Sequence, residues 1–289
     1  MARATTPSLD GEARLLETRE VLPGRHLLTW AAPSIARQVQ PGQFVHVLAP
    51  RTPGLLLPAV PVAGFDRVAG HISLLLLDRD GPPDALLRTR VGDTAALDGP
   101  LGRGFEIDSR SRYLLVVADG AGFARVRAIV DEAVASGRQV TLLFGARSVA
   151  EVPPSSLLPD EAEYVVATTD GSLGHRGSLV DLVPEYEAWA DQCFAAGTPG
   201  LLTRVATLAK GRDGRMGVAR LGRRRGRRPE PRRAEARRRA WLQVALPHEA
   251  GCALGVCLGC VATGTDGPLR VCREGPVFAA SELRPERDP

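Results

Sequence analysis

The rhythm of apolar and polar positions changes near residue 110 of the 289-residue chain. Before it, apolar runs are short. "HLLTWAA" (His26–Ala32), "QFVHVLA" (Gln43–Ala49) and "HISLLLLD" (His71–Asp78) each have strand length. "LPG", "QPGQ", "DRDGPP" and "VGDT" separate them with turn chemistry. Many short strands and no long helical stripe predict a small antiparallel barrel over residues 10–108.

After residue 108 the pattern alternates. "RYLLVVADGAG" is an unbroken apolar strand that enters a glycine-bearing loop, and "FARVRAIVDEAVASG" follows with helical spacing and a Gly stop. "QVTLLFGAR" and "EYVVATTDG" read as two more strands, "GSLVDLVPEYEAWA" as a helix, and "DQCFAAGTPGLLTRVATLA" as strand, turn and helix. Strand alternating with helix predicts a doubly wound parallel sheet over 109–210, so the fold class is a β barrel plus α/β. Ligands on such a sheet sit at the carboxyl ends of the strands, here the loops Asp119–Gly122, Thr168–Gly171 and Ala196–Pro199.

Composition separates a third region. The net charge is +4, yet thirteen Arg between Arg212 and Arg239 face only Asp213, Glu230 and Glu235. The rest of the chain is therefore acidic, which argues against a nucleic-acid binder. Residues 211–240 read as an Arg-rich low-complexity insertion. Like charges at this density repel and favour a solvated segment, and GC-rich DNA read out of frame gives the same Arg, Gly, Ala and Pro mixture. No stretch approaches a membrane span, and the start "MARATTPSLDGEARLLETRE" has no apolar h-region. A cytoplasmic setting is expected, in which clustered thiols stay reduced and serve metals more often than disulfides.

The thiols are clustered. Four of the five cysteines fall in residues 241–289, as Cys252-x4-Cys257-x2-Cys260-x11-Cys272. This is the spacing of plant-type [2Fe–2S] ligation. Two irons bridged by sulfides need four thiolates in a small volume. A loop that wraps the cluster supplies three, and a separate segment supplies the fourth. Gly251, Gly255 and Gly259 let that loop bend and bring N–H groups to the sulfurs. A zinc site is the competing reading, but it favours paired C-x2-C knuckles, and only Cys257 and Cys260 have that spacing. Cys193, in an apolar run, reads as a core thiol. His175 reads as a solvated loop residue, and His248 is not needed as a ligand.

"GCALGVCLGC", "VCREGPVF", "TTDGSLGHRGSLVDL", "PGQFVHV", "GDTAALDGPLGRGF" and "LLFGAR" together resemble the ferredoxin-reductase superfamily, and within it the electron-transfer subunits of type 1B dihydroorotate dehydrogenases. The resemblance covers roughly residues 12–210 and 241–283. It implies FAD on the barrel, a [2Fe–2S] cluster in the tail, and electron passage between NAD(H) and an FMN-containing catalytic subunit that converts dihydroorotate to orotate. It also implies a hetero-oligomer, two copies of each chain, with the apolar loop residues Leu254, Val256 and Leu258 facing the partner.

The resemblance carries over to cofactor positions residue by residue. The family's Arg-Pro-x-Ser barrel motif aligns with Leu57, Pro58, Ala59 and Val60, which lack its cation and hydroxyl. Leu74, Leu75 and Leu76 lead to a Gly-Thr phosphate loop that reads Gly81-Pro82 here, where Pro removes an N–H. The Gly-rich nucleotide turn is Asp119-Gly120-Ala121-Gly122, with Gly120 and Gly122 as its nicotinamide-dinucleotide positions and Asp119 adding a negative charge. A charge-assisted hydrogen bond contributes roughly 1.5–3 kcal/mol, so weak FAD binding is expected. Two other roles compete: a flavin-poor, non-catalytic iron–sulfur partner, and a reductase-like subunit serving another acceptor such as a hydrogenase or glutamate synthase.

Overall fold

A computed structural model describes residues 8–48, 57–76, 84–213, 235–247 and 250–284. Six strands form the first unit: β1 (Ser8–Leu22), β2 (Arg25–Ala31), β3 (Phe44–Leu48), β4 (Leu57–Asp66), β5 (His71–Leu76) and β6 (Thr94–Leu101). They close an antiparallel barrel in the order β1-β2-β5-β4-β3-β6 and back to β1. Strand alternation turns Leu15, Trp30, Val45, Val62, Ile72 and Leu97 into its interior, where all are fully buried. The sequence reading missed β1. Its run "ARLLETRE" looks polar, because beyond Leu16 the strand's Glu17, Thr18, Arg19 and Glu20 are all exposed.

The second unit is a sheet with helices on both faces. It contains β7 (Tyr113–Asp119), β8 (Gln139–Ala146), β9 (Glu163–Thr168), β10 (His175–Arg176), β11 (Gln192–Ala196) and β12 (Leu242–Ala245). The chain then adds β13 (Ala250–Gly251) to the barrel beside β4, forms a hairpin of β14 (Val261–Gly264) and β15 (Gly267–Arg270), and returns to the sheet as β16 (Val277–Ala279). The sheet order is β10-β9-β8-β7-β11-β12-β16, parallel except for β16. The chain leaves β7 towards β8 and comes back on the other side with β11. The switch point, where such sheets take ligands, is therefore the crevice between β7 and β11.

Among the helices, α1 (Pro33–Ala36) and α2 (Asp84–Leu87) are single turns in barrel connections. Helix α3 (Gly122–Ala135) lies between sheet and barrel, with Phe123, Val126, Ile129 and Val130 in a core shared with Ala63 and Leu75 of the barrel. Its Arg127 donates to the carbonyls of Ala63 (3.0 Å) and Leu157 (2.6 Å), which fixes the two units to each other. The segment expected as one helix over 177–190 is instead a 3-10 turn at Leu179–Asp181, capped by Ser178, and then α4 (Val183–Glu187). Pro184 explains the break: it is tolerated only in a first helical turn, so the helix restarts there. Helix α5 (Pro199–Asp213) covers the same face as α4, and α6 (Val271–Glu274) belongs to the C-terminal unit.

The motifs that looked separate in sequence meet in space. Gln43 of "PGQFVHV" donates its side-chain amide to the Gly102 carbonyl (2.7 Å) of "PLGRGF". Arg103 there donates its N–H to the carbonyl of Gly275 (2.5 Å) in "VCREGPVF". Gly102 is obligatory at this junction: its φ is +73°, and a Cβ would stand 2.6 Å from the Gly275 oxygen. Residues 214–234 of the Arg-rich segment lie outside the described residues. Among the described residues, no helix is long and apolar enough to cross a membrane.

Candidate functional site

The cysteine loop begins where β13 leaves the barrel edge. Three of its residues have left-handed backbone: Ala253 (φ 51°), Gly255 (φ 73°) and Leu258 (φ 57°). For Ala and Leu this conformation costs about 1 kcal/mol or more. The strain turns main-chain N–H groups inward. Val256 and Cys257 both donate to Cys252 Sγ at 3.4 Å. On the inner side, the Cys272 N–H donates to Cys260 Sγ at 3.4 Å, and the Val271 N–H donates to the Cys260 carbonyl at 2.8 Å.

The four thiols therefore fall into two pairs. Cys252 and Cys257 are the outer pair, half-buried and exposed. Cys260 and Cys272 are the inner pair, both buried. The N–H donors of Cys257 and Val256 pull the Cys252 thiol down to about 6, so it is a thiolate at neutral pH. Burial, together with the hydrogen bond and charge of Cys260, pushes Cys272 up to about 12. Its ionisation needs a cation close by, and metal coordination is the usual source.

Two pairs suit two irons, with two thiolates on each. Zinc needs all its ligands around one point. The chemistry and pairing of Cys252, Cys257, Cys260 and Cys272 thus fit a [2Fe–2S] group. Arg270 braces this loop. It donates to the Gly255 carbonyl (3.5 Å), its other nitrogens pair with Glu274, and its stem passes 3.1 Å from where a Gly255 Cβ would lie. Cys193 stands apart on β11, fully buried, its thiol pushed up by burial.

The cluster unit docks on the barrel's outer face. Cys260, Val271, Cys272 and Phe278 share one core with Phe44 and Leu101, and Ala59 packs against it. Strand β13 pairs directly with Leu57 and Pro58. Of the flavin positions taken from sequence, Pro58 and Ala59 are half-buried, and Ala59 is the one that packs on this side. The other flavin positions differ in where their side chains lie. Val60, Leu74 and Leu76 point into the barrel interior, because alternation gives them the core face, and Leu75 packs in the core shared with α3. These four side chains fill cores. Gly81 and Pro82, and the side chain of Leu57, lie outside the described residues.

Sequence reasoning missed one residue here. His46 sits opposite Ala59 and Asp98 in the strand register and beside Phe44, at 5.8 Å between rings. It is 3% exposed, and its Nε2 has no hydrogen-bond partner among the described residues. Burial holds it below the usual histidine range, with Asp98 partly offsetting this. A buried orphan nitrogen on the face that carries Ala59 is a ready polar contact for a bound ring. The alternation in "QFVHVLA" could have found it, since it places His46 on the face opposite Val45 and Val47. No described flavin candidate supplies a cation for phosphate.

The nucleotide loops meet at the switch point. Gly122 is needed there because a Cβ would lie 2.1 Å from the Ala196 carbonyl. Gly120 takes φ +47° in the turn before α3. Asp119 reaches across the crevice to Thr198 of the Ala196–Pro199 loop, a contact between two loops that the sequence reading placed only separately at the strand ends. The loop at Thr168–Gly171 closes on itself, with Thr168 Oγ1 and Leu173 exchanging hydrogen bonds.

Comparison with known proteins agrees with this architecture. Residues 249–284 match the iron-sulfur cluster binding domain of dihydroorotate dehydrogenase B. A protein of Desulforamulus reducens named dihydroorotate dehydrogenase B (NAD(+)), electron transfer subunit, is 30% identical over 280 residues, covering 94% of this chain and 97% of its own. The Listeria monocytogenes protein of the same name is 24% identical over 282 residues, covering 96% and 99%. Among solved structures, the NADH-dependent reduced ferredoxin–NADP oxidoreductase superposes with a TM-score of 0.74 at 20% identity, over 95% of this chain and 90% of that one. This last likeness establishes a ferredoxin-reductase-like fold.

Proposed function

The chain belongs to the family of dihydroorotate dehydrogenase B electron transfer subunits, and from that premise we propose that it relays electrons for a separate catalytic subunit that oxidises dihydroorotate to orotate. The observation that carries this reading is the pairing of Cys252 with Cys257 and of Cys260 with Cys272, inside a unit packed against the barrel. A [2Fe–2S] group held there supplies one-electron transfer. The protein's own contribution is to hold four thiolates, to direct N–H groups at their sulfurs, and to keep water from the inner pair.

The other roles follow from placement. FAD is assigned to the barrel strand that carries Pro58 and Ala59, on the outer face of Ala59, with His46 as its polar contact and the cluster unit beside it. NAD(H) is assigned to the crevice at Gly120 and Gly122 as the exchange partner for electrons. The catalytic subunit, FMN-bearing, docks on the cluster loop, where Leu254, Val256 and Leu258 are 67%, 71% and 63% exposed. Exposed apolar residues grouped on one loop mark a protein contact. The assembly is a heterotetramer of two plus two chains in the cytoplasm.

The absence of a phosphate-pairing cation among the described flavin positions favours a second reading, a flavin-poor iron–sulfur partner. One anaerobic experiment tests the main reading. Dihydroorotate added to the mixed subunits should bleach this chain's visible absorbance. Absorbance that stays unchanged while the catalytic subunit turns over an artificial acceptor would contradict it. A fluorescent extract of the purified chain separates the flavin-bearing form from the flavin-poor one.

A further inference from the structure

The crevice between β7 and β11 is already filled by part of the chain. The Asp119 carboxylate accepts the Thr198 N–H at 2.7 Å through Oδ1 and the Thr198 hydroxyl at 2.7 Å through Oδ2. Thr198 precedes α5, and its hydroxyl also accepts the Leu201 N–H at 3.3 Å. The N–H and hydroxyl of the residue that precedes this helix therefore point at an anion that the protein supplies itself. Contact is close enough to dictate sequence: a Cβ on Gly197 would stand 2.0 Å from Asp119 Oδ1. Gly197 has φ +155°, and with Gly122 it lets the two loops approach to touching distance.

A pyrophosphate binds at such a switch point by taking N–H donors from the loops and helix starts around it. Here the Thr198 donors serve a carboxylate, and a second anion would meet its charge at short range. We propose that Asp119 is a resident anion in the dinucleotide crevice, paired with Thr198 so that a nicotinamide dinucleotide binds only when this pair opens. The inference rests on the family reading for the identity of the dinucleotide. It makes Asp119 the residue that sets how readily nicotinamide communicates with the cluster. Gly120 and Gly122 remain the backbone on which the nucleotide would lie.

The test is a binding titration of NADH, and of ADP-ribose as a probe lacking the nicotinamide, against the full-length chain with its cluster in place. Asp119→Gly removes the anion and leaves the Thr198 donors free. It should tighten both ligands by about tenfold or more, equivalent to about 1.4 kcal/mol. Asp119→Asn keeps the shape and loses the charge, so it should give a smaller gain in the same direction, and it keeps the inference testable if the glycine loosens the turn. Wild type binding both ligands as tightly as either variant, with cluster absorbance unchanged, overturns the inference. Capture of the catalytic subunit is measured separately and does not depend on this pair. Failure of the family reading and failure of this inference thus appear in different assays.

Discussion

Arg237 and Glu282 join the end of the Arg-rich segment to the C-terminal strand region. Arg237 donates to the two carboxylate oxygens at 2.9 and 3.2 Å, and its guanidinium lies 5.4 Å from the Phe278 ring centre. The Arg237 side chain is 5% exposed. Arg237 is therefore packed into the fold, ahead of the recognisable "WLQVALPHEAG".

Arg237 is buried and its partner Glu282 is half-buried, so removing Arg237 loses both bonds and the packing on Phe278. Arg237→Leu should cost roughly 3 kcal/mol in denaturant unfolding. Arg238→Leu, one position away on the exposed side of the same turn, should change stability by less than about 0.5 kcal/mol. Equal effects would mean that the Arg237 contact is not formed.

Cys193 is the internal control for thiol chemistry. It is fully buried on β11, and burial pushes its thiol up, so it should resist alkylation in the native protein. In the cluster-free protein, Cys252 should react first at pH 7, because its N–H partners hold it at about 6. Mass spectrometry of tryptic peptides after a short iodoacetamide pulse gives the order. Cys193→Ser should leave visible absorbance unchanged.

His46 gives a pH dependence of known sign. Its pKa is lower in the folded protein than the ordinary 6.5, because burial disfavours the charged ring. The unfolded chain then binds the extra proton first. Stability is fully present above pH 6.5 and falls as pH drops from there through the lower folded value. His46→Gln, which stays neutral, should flatten that slope in urea melts between pH 7 and 5. A wild-type slope of opposite sign would rule out a neutral buried ring.

The docking surface has its own test. Leu258→Glu places a charge on the exposed loop and should weaken capture of the catalytic subunit by about tenfold or more, as expected for losing a buried leucine contact. Leu258→Gly suits the left-handed backbone at φ 57° and should spare the absorbance. Leu258→Glu binding the partner like wild type would place the interface elsewhere.

What the sequence reveals depends on how local each signal is. The cysteine spacing is legible because one loop supplies three ligands, and the strands of the sheet are legible because each is an apolar run. β1 was hidden, since "ARLLETRE" offers few apolar positions to count. The helix expected at 177–190 failed on Pro184, a single residue inside an otherwise good pattern. The Asp119–Thr198 pair joins positions 79 apart, and no local pattern announces it. Val60, Leu74 and Leu76 were taken from a family motif, which fixes position along the strand but not the face that each side chain occupies.

The metal content of the C-terminal unit decides what the four clustered thiols hold. Anaerobically purified protein should carry about two irons and two acid-labile sulfides per chain, with visible absorbance that is lost in Cys260→Ser or Cys272→Ser and retained in Cys193→Ser. One zinc per chain with no visible absorbance would contradict it.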